Sequence, residues 1–499
     1  MHITCCQSLD KRSSSDLLII PFWKGEPPVA AVELSDQLKK ICLPPIRAKD
    51  FTGKEDDFIL LWADLPEELR IALVGLGEKG SISVETLRRA YGKAVMQTRT
   101  KKIETISILV PQIETLGEKM TSHAMAEGIF SANYLHNIYK HDALKKDPQV
   151  PVKAIEWIGT EHKQILSAVD HAYKISKGVD LARDLANGNA DDVTPQFLAD
   201  TARKLAKDYP RVKTEVHDKK WLEQQKFGLV LAVSKASAHP PYFVTSSYQG
   251  NPLSKDHTVI VGKAITFDTG GLNLKPTGNI EHQKEDMSGA AAALGVIKAI
   301  AELELPINVT AVFAACENAI GSCAYKPGDV HVALSGRSVE IVNTDAEGRL
   351  TLADALFWTK EKLAPTRIID IATLTGAMVV ALGSEACGVM SNSTALAEEL
   401  IRSGEKTFER CWRFPLFEEY NEQFKSDIAD TKNAPTREGG AIYGALFLQE
   451  FVGKTPWAHL DIAGVASNKE AKRYLPKQAT GFGVRLLVDF VEQTVLKNP

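Results

Sequence analysis

Four carboxylates fall in two short stretches whose residue types could do chemistry. The first stretch runs Lys263-Ala264-Ile265-Thr266-Phe267-Asp268-Thr269-Gly270-Gly271 and reaches Lys275, with Asp286 shortly after. The second is Asn343-Thr344-Asp345-Ala346-Glu347-Gly348-Arg349-Leu350. Asp268, Asp286, Asp345 and Glu347, with no histidine among them, suit hard or borderline divalent cations. Gathering them without a cation would cost strong repulsion. Lys263, Lys275 and Arg349 would offset that charge or polarise a substrate oxygen. None of the 12 histidines stands in an HExxH pair, so the helical metalloprotease motif is absent. Any one of these acids alone reads as a solvated loop charge. As a set, in glycine-rich loops between apolar runs, they point to a metal-assisted hydrolase or a phosphotransferase.

The flanking elements must position these groups. Thr258 to Val261, Val309 to Ala314, Arg367 to Ile371 and Gly228 to Val233 read as strands. Gly289 to Leu303 and Leu350 to Lys362 read as helices. Strands alternating with helices predict an α/β fold with a largely parallel sheet. Such folds place ligands beyond the carboxyl ends of their strands, where Lys263 and Asp268 fall. Asp286 lies near the start of the next helix. Asp345 and Glu347 follow the strand-like run Val339 to Val342; in extended backbone, residues two apart point to one side. Earlier in the chain, Ile71 to Val74 and Ile106 to Val110 read as strands and Val84 to Met96 as a helix. The polar zone His141 to Pro151 reads as a linker or surface turn, and Gln164 to Asn187 as a helix joining two halves. The expected organisation is a smaller N-terminal α/β domain, residues 1–165, and a larger catalytic α/β domain, residues 166–499, with a central mixed, largely parallel sheet.

Composition narrows the function. The chain has 499 residues, 44% hydrophobic and 24% charged, which excludes a disordered or fibrous protein and allows a large core. Lys and Arg total 59 against 63 Asp and Glu, a net charge of −4. That balance gives no support to nucleic-acid binding through bulk charge. The seven cysteines form no CxxC pair, so neither a disulfide framework nor a thiolate zinc site is expected, and a reducing compartment fits. The start Met1 to Cys6 lacks a basic region followed by an apolar core. Between Asp370 and Glu385 there are 14 uncharged residues, short of the ~20 that a membrane span needs. A cytoplasmic protein with no membrane partner is expected.

Other motifs take plainer readings. Gly75 to Gly80 fits GxGxxG after a strand and before a helix, yet no acidic residue occurs from Lys93 to Lys102 to hold a ribose. It reads as a glycine-rich turn with a serine helix cap. His459 reads as a satisfied polar residue near a strand end, Cys5-Cys6 as inert, and Arg99, Lys101 and Lys102 as a solvated face. Asp354 and Asp370 are assigned no chemistry.

The octapeptide Asn343 to Leu350 resembles the signature of the leucyl (cytosol) aminopeptidase family, the M17 dinuclear-metal peptidases. The segments Val261 to Pro276, Lys284 to Ala292, Lys326 to Val330, Thr373 to Ala377 and Trp457 to Gly464 resemble that family too, so the likeness covers about residues 180 to 490. The resemblance implies removal of N-terminal amino acids, leucine and others, from peptides, by attack of a metal-bridging water on the scissile carbonyl. It implies two divalent metal ions per subunit, Mn²⁺ or Zn²⁺, with Mg²⁺ or Co²⁺ as further choices. Lys263, Asp268, Asp286 and Glu347 would hold the tighter metal. Asp268, Asp345 and Glu347 would hold the exchangeable one, with the Asp345 carbonyl as a further ligand. Lys275 would steady the oxyanion, and Arg349 would hold a bicarbonate acting as general base. One metal would also bind the free α-amine of the substrate. A homohexamer is implied, as is DNA binding in some relatives.

Three positions depart from the family pattern. Gln283 stands where many relatives carry a methionine lining the pocket for the first side chain, so a strict leucine preference is not expected. Ala264 replaces a common glycine. Glu317-Asn318-Ala319-Ile320 replaces a common Glu-Asn-Met-Pro, so the loop that follows should differ. The alternatives are another dinuclear hydrolase acting on esters or phosphoesters, a DNA-binding regulator, and a binding protein with a dead site.

Overall fold

The computed structural model describes residues 1–25, 34–146, 148–436 and 438–497. Its chain contacts divide into two units, Met1–Ser176 with Glu470–Lys477, and Lys177–Lys469 with Gln478–Pro499. The division falls inside the helix His162–Asn187. Among the described residues no helix is long and apolar enough to cross a membrane.

The first unit is built on a six-stranded sheet. Its strands are β1 (His2–Cys6), β2 (Leu17–Phe22), β3 (Phe58–Trp62), β4 (Arg70–Gly75), β5 (Thr105–Leu109) and β6 (Ala154–Ile158), in the order β1-β6-β5-β2-β4-β3. Only β3 runs antiparallel to its neighbour. Parallel strands covered on both faces read as unbroken apolar runs, and Leu17 to Ile20 are all fully buried. The polar zone His141 to Pro151 contains a short helix, Asp142–Lys146; Asp147 lies outside the described residues. The GxGxxG stretch is the end of β4, a short loop and the start of a one-turn 3-10 helix, Lys79–Ser81. A Cβ on Gly75 would lie 2.0 Å from the Lys54 carbonyl oxygen, and Gly77 has φ +76°. Ser83 caps the helix Val84–Thr98 by accepting the Thr86 N–H at 3.1 Å. Arg99 is not a solvated cation: its guanidinium donates to the carbonyls of Ala132 and Tyr134.

The second unit carries a nine-stranded sheet of β7 (Val212–His217), β8 (Tyr242–Gln249), β9 (His257–Gly262), β10 (Ala264–Asp268), β11 (Asn308–Asn318), β14 (Arg367–Ala372), β15 (Cys387–Ser391), β16 (Cys411–Arg413) and β18 (Trp457–Asp461). A small sheet of β12 (Val330–Val332), β13 (Ser338–Glu340) and β17 (Thr431–Lys432) lies in the same unit. The large sheet has the order β16-β15-β18-β14-β9-β11-β8-β7, with β10 beside β11. Its centre, β18-β14-β9-β11, is parallel, while β7, β8 and β15 add antiparallel pairings. The expected mixed, largely parallel α/β architecture is what the chain forms.

Two helices follow from the sequence as expected, α1 (Ser288–Leu303) and α2 (Gly348–Leu363). Small residues let α1 lie against the sheet. A Cβ on Gly262 would come within 2.5 Å of the Ala290 backbone, and one on Gly289 within 2.0 Å of the Ile371 carbonyl oxygen. Any side chain at either glycine would push the helix start away from β9 and β14.

Two local expectations are overturned. Gly228–Val233 is a helix, not a strand. A short apolar run carries no periodicity that separates a buried strand from a buried helix. The decisive partner is remote: Asp354 on α2 accepts the N–H groups of Leu229 and Val230 at 3.0 and 3.2 Å, and these are free only in the first turn of a helix. The strand expected over Val339 to Val342 ends at Glu340. Asp345 and Glu347 are therefore not in extended backbone; Thr344 and Asp345 form a turn, and Glu347 already has helical angles, φ −74° and ψ −36°.

Candidate active site

The carboxyl ends of the central strands converge on one acidic cluster. Lys263 directly follows β9, Asp268 ends β10, Asn318 ends β11, Thr373 directly follows β14 and Asp461 ends β18. This is where open α/β sheets hold ligands. Asp268, Asp286 and Glu347 are buried, and one oxygen from each lies within 4.8 Å of the others.

Two lysines thread these acids. Lys263 Nζ lies 2.8 Å from Asp286 Oδ2 and 2.9 Å from Glu347 Oε1, and donates to the Thr373 carbonyl at 2.9 Å. Lys275 Nζ lies 2.8 Å from Asp268 Oδ2 and 2.6 Å from Asp345 Oδ1. Asp345 thus joins the cluster through Lys275, on its more exposed side. Arg349, in the first turn of α2, is buried and donates from Nη1 to the Asn433 carbonyl at 2.8 Å. It feels the negative charge of Glu347, but no direct hydrogen bond joins it to the acids among the described contacts.

The loops are shaped to allow this. Gly270 and Gly271 have φ +84° and +62°, and a Cβ on Gly270 would lie 2.4 Å from the Asn273 carbonyl oxygen. These left-handed angles suit glycine and turn the chain so that Lys275 comes back over Asp268. Asn273 and Thr344 then stitch the two loops. The Thr344 N–H donates to Asn273 Oδ1 at 2.8 Å, the Asn273 N–H donates to Thr344 Oγ1 at 2.9 Å, and Thr344 Oγ1 donates to the Gly270 carbonyl at 2.7 Å. Asp461 shapes the loop after β14, accepting the Thr375 hydroxyl at 2.7 Å and the Leu374 N–H at 3.2 Å. That loop supplies Thr373, whose hydroxyl donates to Asp286 Oδ1 at 2.7 Å.

Burial and charge oppose each other here. Burial and the neighbouring Glu347 push the Asp268 carboxyl up to about 6, against the pull of both lysines. Burial likewise drives Asp286 and Asp345 upward. Glu347 goes the other way, because Lys263 and Lys275 outweigh its burial and hold it below the ordinary value. Burial alone would lower both lysines, yet the surrounding acids hold them above the ordinary lysine range. Burial lowers Arg349 to about 10, so it stays cationic at neutral pH.

The donor set fits divalent cations. Four carboxylates face two ammonium groups, and Glu347 Oε2 is buried with no hydrogen-bond partner among the described residues. A buried anionic oxygen without a donor is costly, and a cation is the group that would satisfy it.

A model of the catalytic domain of the cytosol aminopeptidase family matches residues 180–488, and a model of that family's N-terminal domain matches residues 19–143. The chain belongs to the cytosol aminopeptidase family. It is a peptidase, a hydrolase, and a metal-dependent aminopeptidase by family. A probable cytosol aminopeptidase of Protochlamydia amoebophila (strain UWE25) is 47% identical over 501 residues, covering 100% of both chains. One from Chlamydia felis (strain Fe/C-56) is 43% identical over 504 residues, covering 99% of this chain and 98% of that one. Among solved structures, the bottromycin maturation enzyme BotP in complex with Mn superposes with a TM-score of 0.86 at 29% identity, covering 96% of this chain and 100% of that one.

The structure brings six of the seven residues expected as metal ligands or catalytic groups, Lys263, Asp268, Lys275, Asp286, Asp345 and Glu347, into this one cluster, and Arg349 lies two residues after Glu347 at the start of α2. The sequence reasoning missed Asn273, Asn318, Thr344 and Thr373, whose signal was only that polar residues interrupt or end apolar runs. The remaining singled-out groups lie elsewhere. His459 is fully buried, its Nδ1 2.5 Å from Asp370 Oδ1, and Asp370 also accepts the Trp457 indole N–H at 2.6 Å. Burial pushes the Cys5 thiol up to about 12, which fits an inert cysteine.

Proposed function

We propose that this protein removes N-terminal residues from peptides at the acidic cluster, with Lys263, Asp268, Asp286, Asp345 and Glu347 as the ligands of two divalent metal ions. The observation that carries this reading is the set of three buried carboxylates within 4.8 Å of one another, threaded by two lysines at the carboxyl end of a parallel sheet. Bound there, two cations would lower the pKa of a shared water and give a nucleophile at neutral pH. The sharing proposed is Lys263, Asp268, Asp286 and Glu347 for the tighter metal, and Asp268, Asp345 and Glu347 for the exchangeable one. As a ligand Lys263 must be neutral, so metal uptake has to displace the proton that its carboxylate neighbours now retain.

The protein's own cations do the rest. Lys275 keeps its proton despite burial and sits at the cluster's more open edge. From there its Nζ donates to the carbonyl oxygen of the scissile bond and stabilises the charge that develops on it. Arg349 stays charged in a buried setting, and its Nε has no hydrogen-bond partner among the described residues. A guanidinium so placed recognises a planar oxyanion, and it would hold the bicarbonate that serves as general base. The Mn in the BotP complex supports Mn²⁺ as one metal choice, with Zn²⁺, Mg²⁺ or Co²⁺ as others. Family membership supports a homohexamer and a cytoplasmic location.

The test compares a leucyl peptide bearing a free α-amine with its N-acetylated twin, each with Mn²⁺ or with chelator. Cleavage of the free-amine form alone, and only with metal, is expected. Cleavage of neither, across several N-terminal residues and metals, would overturn the reading. Cleavage of a phosphoester instead would place the protein's chemistry elsewhere.

A further inference from the structure

Asn318 is the last residue of β11, is fully buried, and belongs to neither ligand-bearing loop. Its side chain nevertheless bonds to both. Nδ2 donates to Asp268 Oδ1 at 2.8 Å and to the Thr344 carbonyl at 3.0 Å. Both partners can only accept, so the amide nitrogen and not the amide oxygen must face them. Its backbone carbonyl takes both the N–H and the hydroxyl of Thr269, each at 2.9 Å. One residue therefore anchors the Asp268 carboxylate, the Thr269 backbone that follows it and the peptide that leads into Asp345.

The consequence for Asp268 is orientational. Its Oδ1 accepts two N–H groups, from Asn318 and from Gly270 at 2.9 Å. Two donors on one oxygen fix the carboxylate's rotation and leave Oδ2 turned to Lys275, at 2.8 Å. Lys275 is a poor orienting group towards an incoming cation, because like charges repel. An amide carries no charge and can hold the carboxylate through that change. At the Thr344 carbonyl the amide is joined by the Tyr325 hydroxyl, which donates at 2.8 Å, so the Thr344–Asp345 peptide is held from two sides.

We propose that Asn318 is a positioning residue for the metal site: its amide holds the Asp268 carboxylate and the Thr344–Asp345 peptide in the arrangement that receives the cations, and so sets metal affinity. This rests on the proposed ligand roles of Asp268 and Asp345. Residues that orient metal ligands typically contribute about 10- to 100-fold to affinity.

The test uses the full-length chain carrying Asn318→Ala, which removes the donors, and separately Asn318→Leu, which removes them but fills the space. Mn²⁺ binding is titrated by the electron paramagnetic resonance signal of free Mn²⁺, and the unfolding midpoint of the metal-free protein is recorded alongside. The dissociation constant is expected to rise about 10- to 100-fold in each folded variant, with kcat recovering towards the parent value when Mn²⁺ is raised to saturation. A merely structural role would lower the unfolding midpoint and leave the dissociation constant alone. A folded variant whose dissociation constant stays within about twofold of the parent overturns the inference. Asp286→Ala serves as the control. Mn²⁺ binding unchanged in Asp286→Ala would overturn the metal-site reading and this inference with it, whereas loss there with tight binding retained in the Asn318 variants overturns this inference alone.

Discussion

Gly348→Ala should silence the enzyme without unfolding it. Gly348 opens α2, where its backbone angles are ordinary and alanine is the better helix former by about 1 kcal/mol. Propensity and strain therefore favour the substitution. Space opposes it. A Cβ at this position would lie 2.4 Å from Lys263 Cε, 2.7 Å from Nζ and 2.8 Å from Cδ. Carbon atoms pack at about 3.5–4.0 Å, so the end of Lys263 must withdraw by roughly 1 Å or more. It has no slack, since Nζ is held at 2.8 Å by Asp286, at 2.9 Å by Glu347 and at 2.9 Å by the Thr373 carbonyl. The withdrawal breaks at least one of these contacts and takes a proposed metal ligand out of place. A misplacement of about 1 Å in a reacting constellation costs on the order of 10²-fold in rate. The assay is metal-saturated hydrolysis of a leucyl substrate, with thermal unfolding of the same sample. An approximately 100-fold fall in kcat/KM with an unchanged unfolding midpoint is expected. A kcat/KM within about threefold of the parent would refute the argument that Lys263 must occupy this volume.

Three further outcomes follow from the same geometry. Asp354→Ala should destabilise the second unit by at least about 3 kcal/mol in chemical denaturation, because the N–H groups of Leu229, Val230 and Leu334 lose their acceptor; a change under about 0.5 kcal/mol would show that these donors find other partners. Mn²⁺ affinity should rise with pH. Above about 6 the proton on Lys263, held above the ordinary lysine range, must still be displaced, giving at least roughly tenfold per pH unit; below about 6 Asp268 also carries a proton and the dependence steepens, and Asp286 and Asp345, both driven upward by burial, add to it. Affinity independent of pH between about 6.5 and 8 would remove Lys263 from the ligand set. Gln283 Nε2 donates to the Asn279 carbonyl at 3.0 Å; Gln283→Met removes this polar amide and should shift preference towards N-terminal leucine and phenylalanine, and an unchanged specificity profile would take Gln283 out of the pocket.

The parts of the site visible in the sequence were those with a local signal. Lys263 and Asp268 follow a run of fully buried aliphatic residues, and Glu347 precedes a proline-free stretch rich in alanine and leucine. Such junctions locate a loop at the end of a strand from neighbouring residues alone. The helix at Gly228–Val233 had no such signal. Six apolar residues suit a buried strand as well as a buried helix, and the choice rests on Asp354, more than 100 positions away. The turn through Thr344 and Asp345 was hidden for the same reason. It is set by Asn273, Asn318 and Tyr325, which come from three separate segments. What local patterning leaves open is whatever a partner remote in sequence decides.

The glycines sharpen this point. Gly262, Gly289 and Gly348 look alike in sequence to Gly270 and Gly271, yet the two groups answer to different constraints. Gly270 and Gly271 need left-handed backbone angles, which a turn signal announces. Gly262, Gly289 and Gly348 have ordinary angles and are required because Ala290, the Ile371 carbonyl and the Lys263 side chain occupy the space of a Cβ. The first kind positions Lys275 over Asp268; the second lets α1 and α2 begin close against the sheet, so that Asp286 and Glu347, one just before each helix, come within reach of Lys263. The acidic cluster therefore depends on close approach as much as on charge. Adding one methyl group at Gly348 tests that dependence without altering a single ionisable residue.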